Sequence, residues 1–253
     1  MTKRIVFLVF SLFMIRLACA QSDELNELTV DRPGIAESPF TVAPGMYQFE
    51  TGFDYYKRNT GNIYFLPVTL FRTGLSKNAE LRVSVKNIQD NTTSGKLRGI
   101  SPFTIGIKTH IIEQSGWIPE TDILADIIVP VGRSDLQPGQ LGHDMLLLFQ
   151  NDFSPKTALN YNVGLVWDGF SSSSIFTSSV CFNYLPTDRL GLFIEYFDFI
   201  RKKGTAEHGI DGGITYRIDT HVQLDFSSGI SRLEKQTNFF ISTGFSIRLV
   251  KKT

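Results

Sequence analysis

The sequence predicts an all-β protein, an antiparallel up-and-down outer-membrane β-barrel of about 12 strands. Three observations predict this fold: an export signal at the N-terminus, a series of segments in which apolar and polar residues alternate, and connections that alternate in length. Alternation with a period of two is typical of β-strands, because successive side chains leave a strand on opposite faces. Strands with one apolar and one polar face are the units from which such a barrel is built.

Residues 1–20 (MTKRIVFLVFSLFMIRLACA) have the pattern of a secretory signal peptide. Two basic residues precede an apolar run at 5–15, which is too short to span a bilayer as a helix, and small residues end the segment. We expect cleavage after Ala20 and export of the remainder. Lipidation at Cys19 is the alternative interpretation, but Arg16 stands where an acylation signal places an aliphatic residue.

Charge and cysteine content narrow the function classes. The chain has 25 basic and 25 acidic residues; three of the basic residues and no acid lie in residues 1–20, so the mature chain has 22 basic residues and a formal charge of −3. This balance predicts no nucleic-acid partner. Cys181 is the only cysteine after residue 20, so we expect the exported protein to have no internal disulfide.

The first predicted strand shows the alternation clearly. The stretch GMYQFETGFDYY (45–56) puts Phe49 and Phe53 on one face and Glu50 and Asp54 on the other. About twelve such segments follow one another, each close to the roughly 9–11 residues that a tilted strand needs to cross a membrane. The segments are 46–56, 63–73, 79–89, 99–112, 121–131, 144–153, 158–168, 174–184, 190–200, 207–217, 220–230 and 238–249.

The connections between these segments alternate in length. Those after the even strands include SPKT, LPTDR and RIDT, which are short turns, whereas DNTTSGKLR, VGRSDLQPGQLG and RKKGTAE follow odd strands and are longer. QSGWIPE (114–120) is an exception on the short-turn side. Short turns on one rim and longer loops on the other are typical of outer-membrane barrels. The alternation of faces weakens around 63–70, 145–149 and 190–199, where both faces are apolar.

The apolar face is expected to contact lipid, and the polar face to line the lumen. The alternative is a secreted β-sandwich, in which the apolar stripe packs a core and the charged face lies outside. The polar faces favour the barrel, because they combine Gly, Ser and Asn with both signs of charge, whereas a water-facing sheet usually carries more Lys and Glu.

The stretch TVDRPGIAESPFTVAPGMYQFETGFDY (29–55) resembles the opening of the transporter family catalogued as "MetA-pathway of phenol degradation". The shared features are D-R-P-G at 31–34, a link ending in Pro-Gly, and a strand of the form Q-x-E-x-G at 48–52. Further similar stretches follow in order over the mature chain: LFRTGLSKNAELRV (70–83), DIIVPVG (126–132), DGGITYRI (211–218), VQLDFSSGIS (222–231) and GFSIRL (244–249). The resemblance implies a barrel with a transport role. The tail departs from it: such barrels commonly end in an aromatic residue, but this chain continues V-K-K-T after Leu249, which leaves the end of the last strand open by a few residues.

Charged residues of both signs fall on the predicted inner face. The candidate lumen-lining residues are Glu50, Asp54, Arg72, Glu80, Arg82, Lys108, Asp126, Glu195, Asp211, Arg217, Asp225 and Arg248. In a narrow lumen these charges should pair, because an unpaired buried charge costs several kcal/mol. Two interpretations remain open: a structural salt-bridge network that fills the barrel, and a polar path or ligand site.

Residues 21–44 form a separate segment between the signal peptide and the barrel, which is expected to cover 45–253. Pro33, Pro39 and Pro44 exclude a continuous strand or a long helix. The segment is either a periplasmic tail or an ordered strap that closes the periplasmic mouth.

In the strap interpretation, the motif Asp31-Arg32-Pro33-Gly34 makes the contacts with the barrel. We expect Arg32 to be the main tether, because its guanidinium can pair with an inward or rim carboxylate such as Glu50 or Asp54.

No catalytic or metal motif is recognisable. The four histidines, His110, His143, His208 and His221, stand in no G-x-S-x-G or H-E-x-x-H context, so we expect no catalytic residues and no enzyme activity. Asp122 and Asp126 share a strand face but lie too far apart to chelate one ion. The sequence therefore predicts no metal and no cofactor.

These observations predict a bacterial outer-membrane barrel, exported by a cleaved signal peptide, that passes or binds a small solute. By the family resemblance that solute is apolar or aromatic, and the other expected partner is outer-membrane lipid. The alternatives are a structural envelope barrel without transport activity and an outer-membrane hydrolase. The sequence does not fix the solute, the direction of transport, the oligomeric state or whether the lumen is open.

Overall fold

The computed structural model describes residues 28–92, 95–131, 134–171, 173–201 and 206–251. The predicted signal peptide lies outside these residues. The strands are β1 (Met46–Arg58), β2 (Gly61–Ser76), β3 (Ala79–Thr92), β4 (Gly95–Ile100), β5 (Phe103–Ile112), β6 (Glu120–Val129), β7 (Gly142–Ser154), β8 (Thr157–Trp167), β9 (Ile175–Tyr184), β10 (Leu190–Arg201), β11 (Ala206–Arg217), β12 (Val222–Leu233) and β13 (Gln236–Val250).

The strands close into one antiparallel barrel. Neighbours in sequence pair with each other, and the first strand, β1, pairs with the last, β13, from Met46 opposite Val250 to Lys57 opposite Phe239. β4 pairs with the C-terminal half of β3, and β5 pairs with its N-terminal half. β4 and β5 are therefore two parts of one strand that is broken at 101–102. The 13 segments therefore occupy 12 positions, which confirms the predicted 12-stranded barrel.

The loop prediction was partly wrong. The stretch 90–98, expected to be a long loop, is mostly strand, because β3 continues to Thr92 and β4 begins at Gly95. The connections at 59–60 and 234–235, on the same rim, are two-residue turns. The longest connection, 130–141, does lie on this rim and contains a short 3-10 helix at Ser134–Leu136. On this rim the paired strands therefore extend beyond the segments that the sequence predicts to cross the membrane.

The two faces of each strand separate as the alternation predicts. On β12, Phe226 has 43% of its surface exposed, whereas its neighbours Asp225 and Ser227 have 5% and 0%. An outer surface of apolar side chains around a polar interior is the reverse of a sandwich and matches a lipid-facing barrel. Among the described residues, no helix is long and apolar enough to cross a membrane.

The weak alternation in β2 has a structural cause. The pairing register between β1 and β2 shifts at the bulge between Phe65 and Val68. Because one extra residue reverses the facing of everything beyond it, Phe65 and Ile63 turn inward, opposite Asp54 and Tyr56 of β1. An apolar inner surface therefore begins at this bulge.

Candidate functional site

The strap lies inside the barrel, where its backbone binds three inward glutamates. We use "strap" for residues 21–44, of which 28–44 are described. Its backbone N–H groups donate from Asp31 and Arg32 to Glu50 (3.0 and 3.1 Å), from Ile35 and Ala36 to Glu195 (2.8 and 2.6 Å), and from Val42 to Glu80 (2.6 Å). Hydrogen bonds to charged acceptors are the stronger class. These glutamates stand on β1, β10 and β3, so the strap reaches across the lumen.

Asp31 is the centre of a charge cluster between the strap and the barrel wall. Its carboxylate lies 3.0 Å from Arg72, 2.5 Å from Arg82 and 2.9 Å from Lys108. Ser38, further along the strap, donates to the same carboxylate through its hydroxyl at 2.7 Å. Burial alone would raise the pKa of Asp31, but the three cations hold this pKa well below its usual range.

The remaining members of the cluster complete its pairing. Arg72 lies 2.9 Å from both Glu50 and Glu80, and Arg82 donates to Glu37 of the strap at 2.7 Å. Three cations thus face four carboxylates in an almost fully buried space. The network offsets most of the buried charge and ties the strap to the barrel wall.

Arg32 makes a second set of contacts, on the opposite side of the strap. Its guanidinium lies 3.6 Å from Asp54 and 3.3 Å from Asp225, and it donates to the Ser242 hydroxyl at 2.8 Å. Of the two carboxylates expected to pair with its side chain, Asp54 does so, whereas Glu50 accepts from the backbone N–H of Arg32 and pairs with Arg72. Asp31 makes three charged contacts with the barrel and Arg32 makes two, so both residues tie the strap to the wall.

Two glycines make room for the Arg32 guanidinium. Gly52 of β1 and Gly244 of β13 are directly opposite each other. A Cβ atom on Gly52 would overlap the guanidinium, and one on Gly244 would lie 2.8 Å from its Nε atom. The small inner residues seen in the sequence therefore accommodate a side chain of the strap.

The other predicted lumen residues lie outside these two sets of contacts. Asp211 is directly opposite Glu195 on the neighbouring strand, and the Asp126 side chain covers Gly106. Arg217 and Arg248 lie near the end of the barrel at which β1 begins and β13 ends; Arg248 donates to the backbone oxygen of Thr220 at 2.9 Å. We call this the periplasmic end, since short turns mark that side in such barrels.

A cavity of about 1350 Å³ opens at the periplasmic end. Its lining includes much of the strap, from Leu28 to Pro44, together with the lower ends of several strands. We call it the vestibule. The strap forms its inner boundary, so a solute that crosses the barrel has to pass or displace the strap.

A group of aromatic side chains, here called the apolar layer, lies next to the strap contacts on the side away from the vestibule. Tyr56, Phe197 and Phe240 each stand two residues beyond a strap-binding residue (Asp54, Glu195 and Ser242) on the same inner face. The layer comprises Tyr56, Phe65, Phe197, Phe199 and Phe240, with ring centroids 5.6 Å apart for Tyr56 and Phe240 and 6.1 Å apart for Phe197 and Phe240. Phe197 and Phe240 are nearly buried, whereas the other three rings are only half-buried and present surface to the lumen.

Comparison with known proteins agrees with this architecture. The family model described as "Putative MetA-pathway of phenol degradation" matches residues 30–249, which include most of the strap and all but the last residue of the final strand. The chain belongs to this family. No curated protein matches its sequence.

Solved structures share the fold with this family member at low sequence identity. An outer-membrane channel from Pseudomonas putida F1 has 12% identity and a TM-score of 0.66, over 87% of this chain and 100% of that one. The KdgM porin in complex with oligogalacturonate has 8% identity and a TM-score of 0.51, over 78% and 98%. A Pseudomonas aeruginosa FadL homologue has 8% identity and a TM-score of 0.50, over 80% and 90%. The fold is thus that of outer-membrane channels.

The sequence contained a signal for the apolar layer that the charge analysis did not use. Phe65, Phe197 and Phe199 lie in segments where the alternation is weak, around 63–70 and 190–199, whereas Tyr56 does not. Weak alternation marks strands whose inner face is apolar as well as their outer face. Phe240 had no such signal, because the sequence places it on the polar face of a clearly alternating strand.

One serine, one carboxylate and one histidine meet on the barrel surface, but they do not stand in a catalytic order. On the outer face, Asp198 lies between Ser178 and His208: the serine hydroxyl donates to its Oδ2 at 3.4 Å, and His208 Nδ1 contacts its Oδ1. A general base must instead stand between the carboxylate and the nucleophile. This order of groups gives His208 no position from which to activate Ser178.

Proposed function

We propose that this family member is an outer-membrane channel that admits a small apolar or aromatic solute and is narrowed by its own strap. The observation that carries the proposal is the apolar layer inside an otherwise polar barrel. Aromatic rings directed into a lumen offer a solute ring the same contacts that they make with each other.

The position of the strap supports the second part of the proposal, that the strap narrows the channel. It occupies the lumen between the vestibule and the apolar layer, and its polar contacts replace those that the inward charges would otherwise make with water. In its described part, 28–44, the strap is held by hydrogen bonds, ion pairs and a single bridge at Pro44, so it can leave without opening the barrel wall. We therefore assign it the role of a periplasmic gate.

A structural envelope barrel is the competing function. It accounts equally well for the paired charges, since they fill and stabilise the lumen, but it gives no reason for half-buried aromatic rings inside the barrel. A hydrolase is less well supported, because the described serine, histidine and carboxylate groups are in the wrong order.

Uptake of labelled toluene tests the proposal. Cells whose outer membrane contains lipopolysaccharide admit apolar solutes slowly, so a channel for them raises the initial rate of entry. We expect cells that express the chain to take up toluene faster than cells with an empty vector. Phe240→Asn should lower this rate, since it places an amide in the layer.

The folded state of each variant is checked by its heat-modifiable mobility on gels. A wild-type barrel that is folded in the outer membrane and leaves toluene entry at the rate of the empty vector would favour the structural barrel. Equal uptake by wild type and a folded Phe240→Asn variant would show that toluene does not pass through the apolar layer.

A further inference from the structure

Three side chains that could hold a metal ion meet where β5 and β6 pair near the periplasmic end. His110 is directly opposite Asp122, and the register shift after His110 leaves Glu120, at the start of β6, beside the same imidazole. His110 Nδ1 lies 3.0 Å from Asp122 Oδ1 and 3.2 Å from Glu120 Oε1. In the described part of the chain this is the group whose three ligand atoms lie within 4.8 Å of one another.

Hydrogen bonds among the three groups do not account for the arrangement. The Nδ1 atom of His110 carries at most one proton, yet two carboxylate oxygens face it. Asp122 has 0% of its surface exposed, and its second oxygen, Oδ2, is buried and has no hydrogen-bond partner. A buried carboxylate without a full counter-charge is costly, and a cation bound at Asp122 Oδ1 would offset the negative charge of this carboxylate.

The spacing fits a small divalent ion. Zn²⁺ binds nitrogen and carboxylate oxygen at about 2.0–2.2 Å in a tetrahedron, which separates neighbouring ligand atoms by roughly 3.3 Å. The two measured separations, 3.0 and 3.2 Å, are close to this value. The second oxygen of Glu120 accepts the backbone N–H of Gln114 at 2.8 Å, which orients the ligand in the way that outer-shell partners do.

The charge of Lys108 acts on Asp122, so Lys108 opposes an ion here to the extent that its own charge is not paired. Lys108, two residues before His110 on the inner face, is engaged by Asp31 at 2.9 Å. His110 and Glu120 line the vestibule, so an ion in the periplasm can reach them.

We propose that His110, Glu120 and Asp122 bind one divalent ion of the Zn²⁺ class, with water completing its coordination. One imidazole and two carboxylates suit a borderline transition metal better than Ca²⁺ or Mg²⁺, which prefer oxygen ligands alone. The bound ion links β5 to β6 at the periplasmic rim and neutralises a group of buried and half-buried acids.

Titration of the refolded mature chain, prepared in detergent without a histidine tag, with Co²⁺ tests the site. We expect one ion per chain, with the visible absorption of nitrogen and oxygen coordination, and displacement of Co²⁺ by Zn²⁺. Glu120→Gln and His110→Gln should each weaken binding roughly 100-fold or more. Zn²⁺ should raise the unfolding temperature of the wild type but not of these variants.

Two control variants distinguish specific binding of Co²⁺ by the three ligands from non-specific attraction to other acids or histidines. Glu113→Gln removes an acid from the same wall of the vestibule, and His208→Gln removes a histidine that faces a single aspartate, so both should bind Co²⁺ like the wild type. Equal weakening by Glu113→Gln and Glu120→Gln, or wild-type binding no tighter than that of His110→Gln, would show that the cluster is only a hydrogen-bonded histidine. Because Glu120 lies at the rim, its variant should fold, and heat-modifiable mobility verifies this.

Discussion

At the scale of single residues, Arg32 illustrates how the strap is held in the lumen. Its guanidinium occupies space left by a pair of opposed glycines and lies between Asp54 and Asp225, which come from separate strands. Both carboxylates are inside the barrel, so loss of the guanidinium leaves them without this cation. Hydrogen bonds to charged groups contribute about 1.5–3 kcal/mol each, enough to change the population of a released strap by an order of magnitude or more.

Arg32→Met removes the charge while keeping most of the side-chain length. We expect the barrel to insert normally but to show a larger conductance in planar bilayers, because the strap is released more often. The freed Asp54 and Asp225 carboxylates should also make the current more selective for cations. Single-channel recording with unequal salt on the two sides measures both effects.

The matched control is Lys235→Met, which removes an exposed charge at the turn 234–235, on the rim away from the vestibule. It should leave conductance and selectivity at the wild-type values. Identical recordings from Arg32→Met and wild type would mean that this side chain does not hold the strap in place.

The sequence allowed the facing of these residues to be predicted, but not their partners. Successive side chains alternate between the two faces of a strand, so position in the strand predicts the inner face. The structure puts Glu50, Arg72 and Lys108 on that face. Which charges pair depends on the stagger of strands and on the path of the strap, and neither leaves a local pattern in the sequence. For this reason the sequence could name Glu50 and Asp54 only as candidate partners of Arg32, and the structure shows the pair with Asp54 and a further pair with Asp225.

At the scale of the element, the alternating register of β12 makes a direct prediction about insertion. Phe226 points outward, so Phe226→Arg places a charge in lipid at a cost of about 2–4 kcal/mol near the bilayer midplane. We expect less folded, heat-modifiable barrel in the outer membrane. Asp225→Asn, one residue away and inward, should insert like the wild type; equal yields of the two variants would contradict the register.

Deletion of residues 22–40 behind an intact signal peptide tests the strap as a unit. The deletion removes its contacts with Glu50, Glu195 and Asp225 but leaves every strand of the barrel. We expect a folded barrel with a several-fold larger conductance, because the lumen beside the vestibule is no longer occupied.

Deletion of residues 22–27 alone is the control, since all the strap contacts described here lie beyond it. It should conduct like the full mature chain. If the longer deletion also conducts like the full chain while inserting normally, the strap is a passive tail and the constriction lies elsewhere in the lumen.

Strand positions could be predicted from the sequence more reliably than their irregularities. Periodicity alone located all 12 wall positions, because each strand must carry a lipid-facing stripe long enough to cross the membrane. The bulge in β2 and the break between β4 and β5 were not predicted, since a shift of one residue turns side chains over without changing composition. The bulge is the reason that Phe65 faces the lumen.

At the scale of the whole molecule, three zones follow one another along the barrel axis: the vestibule, the strap with its charge cluster, and the apolar layer. Membership of the family and similarity to outer-membrane channels account for the wall, but not for this order. The account depends on a solute reaching the half-buried rings of Tyr56, Phe65 and Phe199. The inner apolar zone could have been predicted in part, from the segments where both strand faces are apolar.

Anomalous diffraction from crystals of the mature chain grown with 4-bromophenol tests this central claim most directly, because bromine marks the position of a small aromatic solute. Our account predicts a bromine peak inside the barrel, in contact with the ring of Tyr56, Phe65 or Phe199, and loss of that peak in the Phe199→Ser variant. Bromine peaks confined to the lipid-facing surface, with none inside the barrel at saturating solute, would contradict a path for aromatic solutes through the apolar layer.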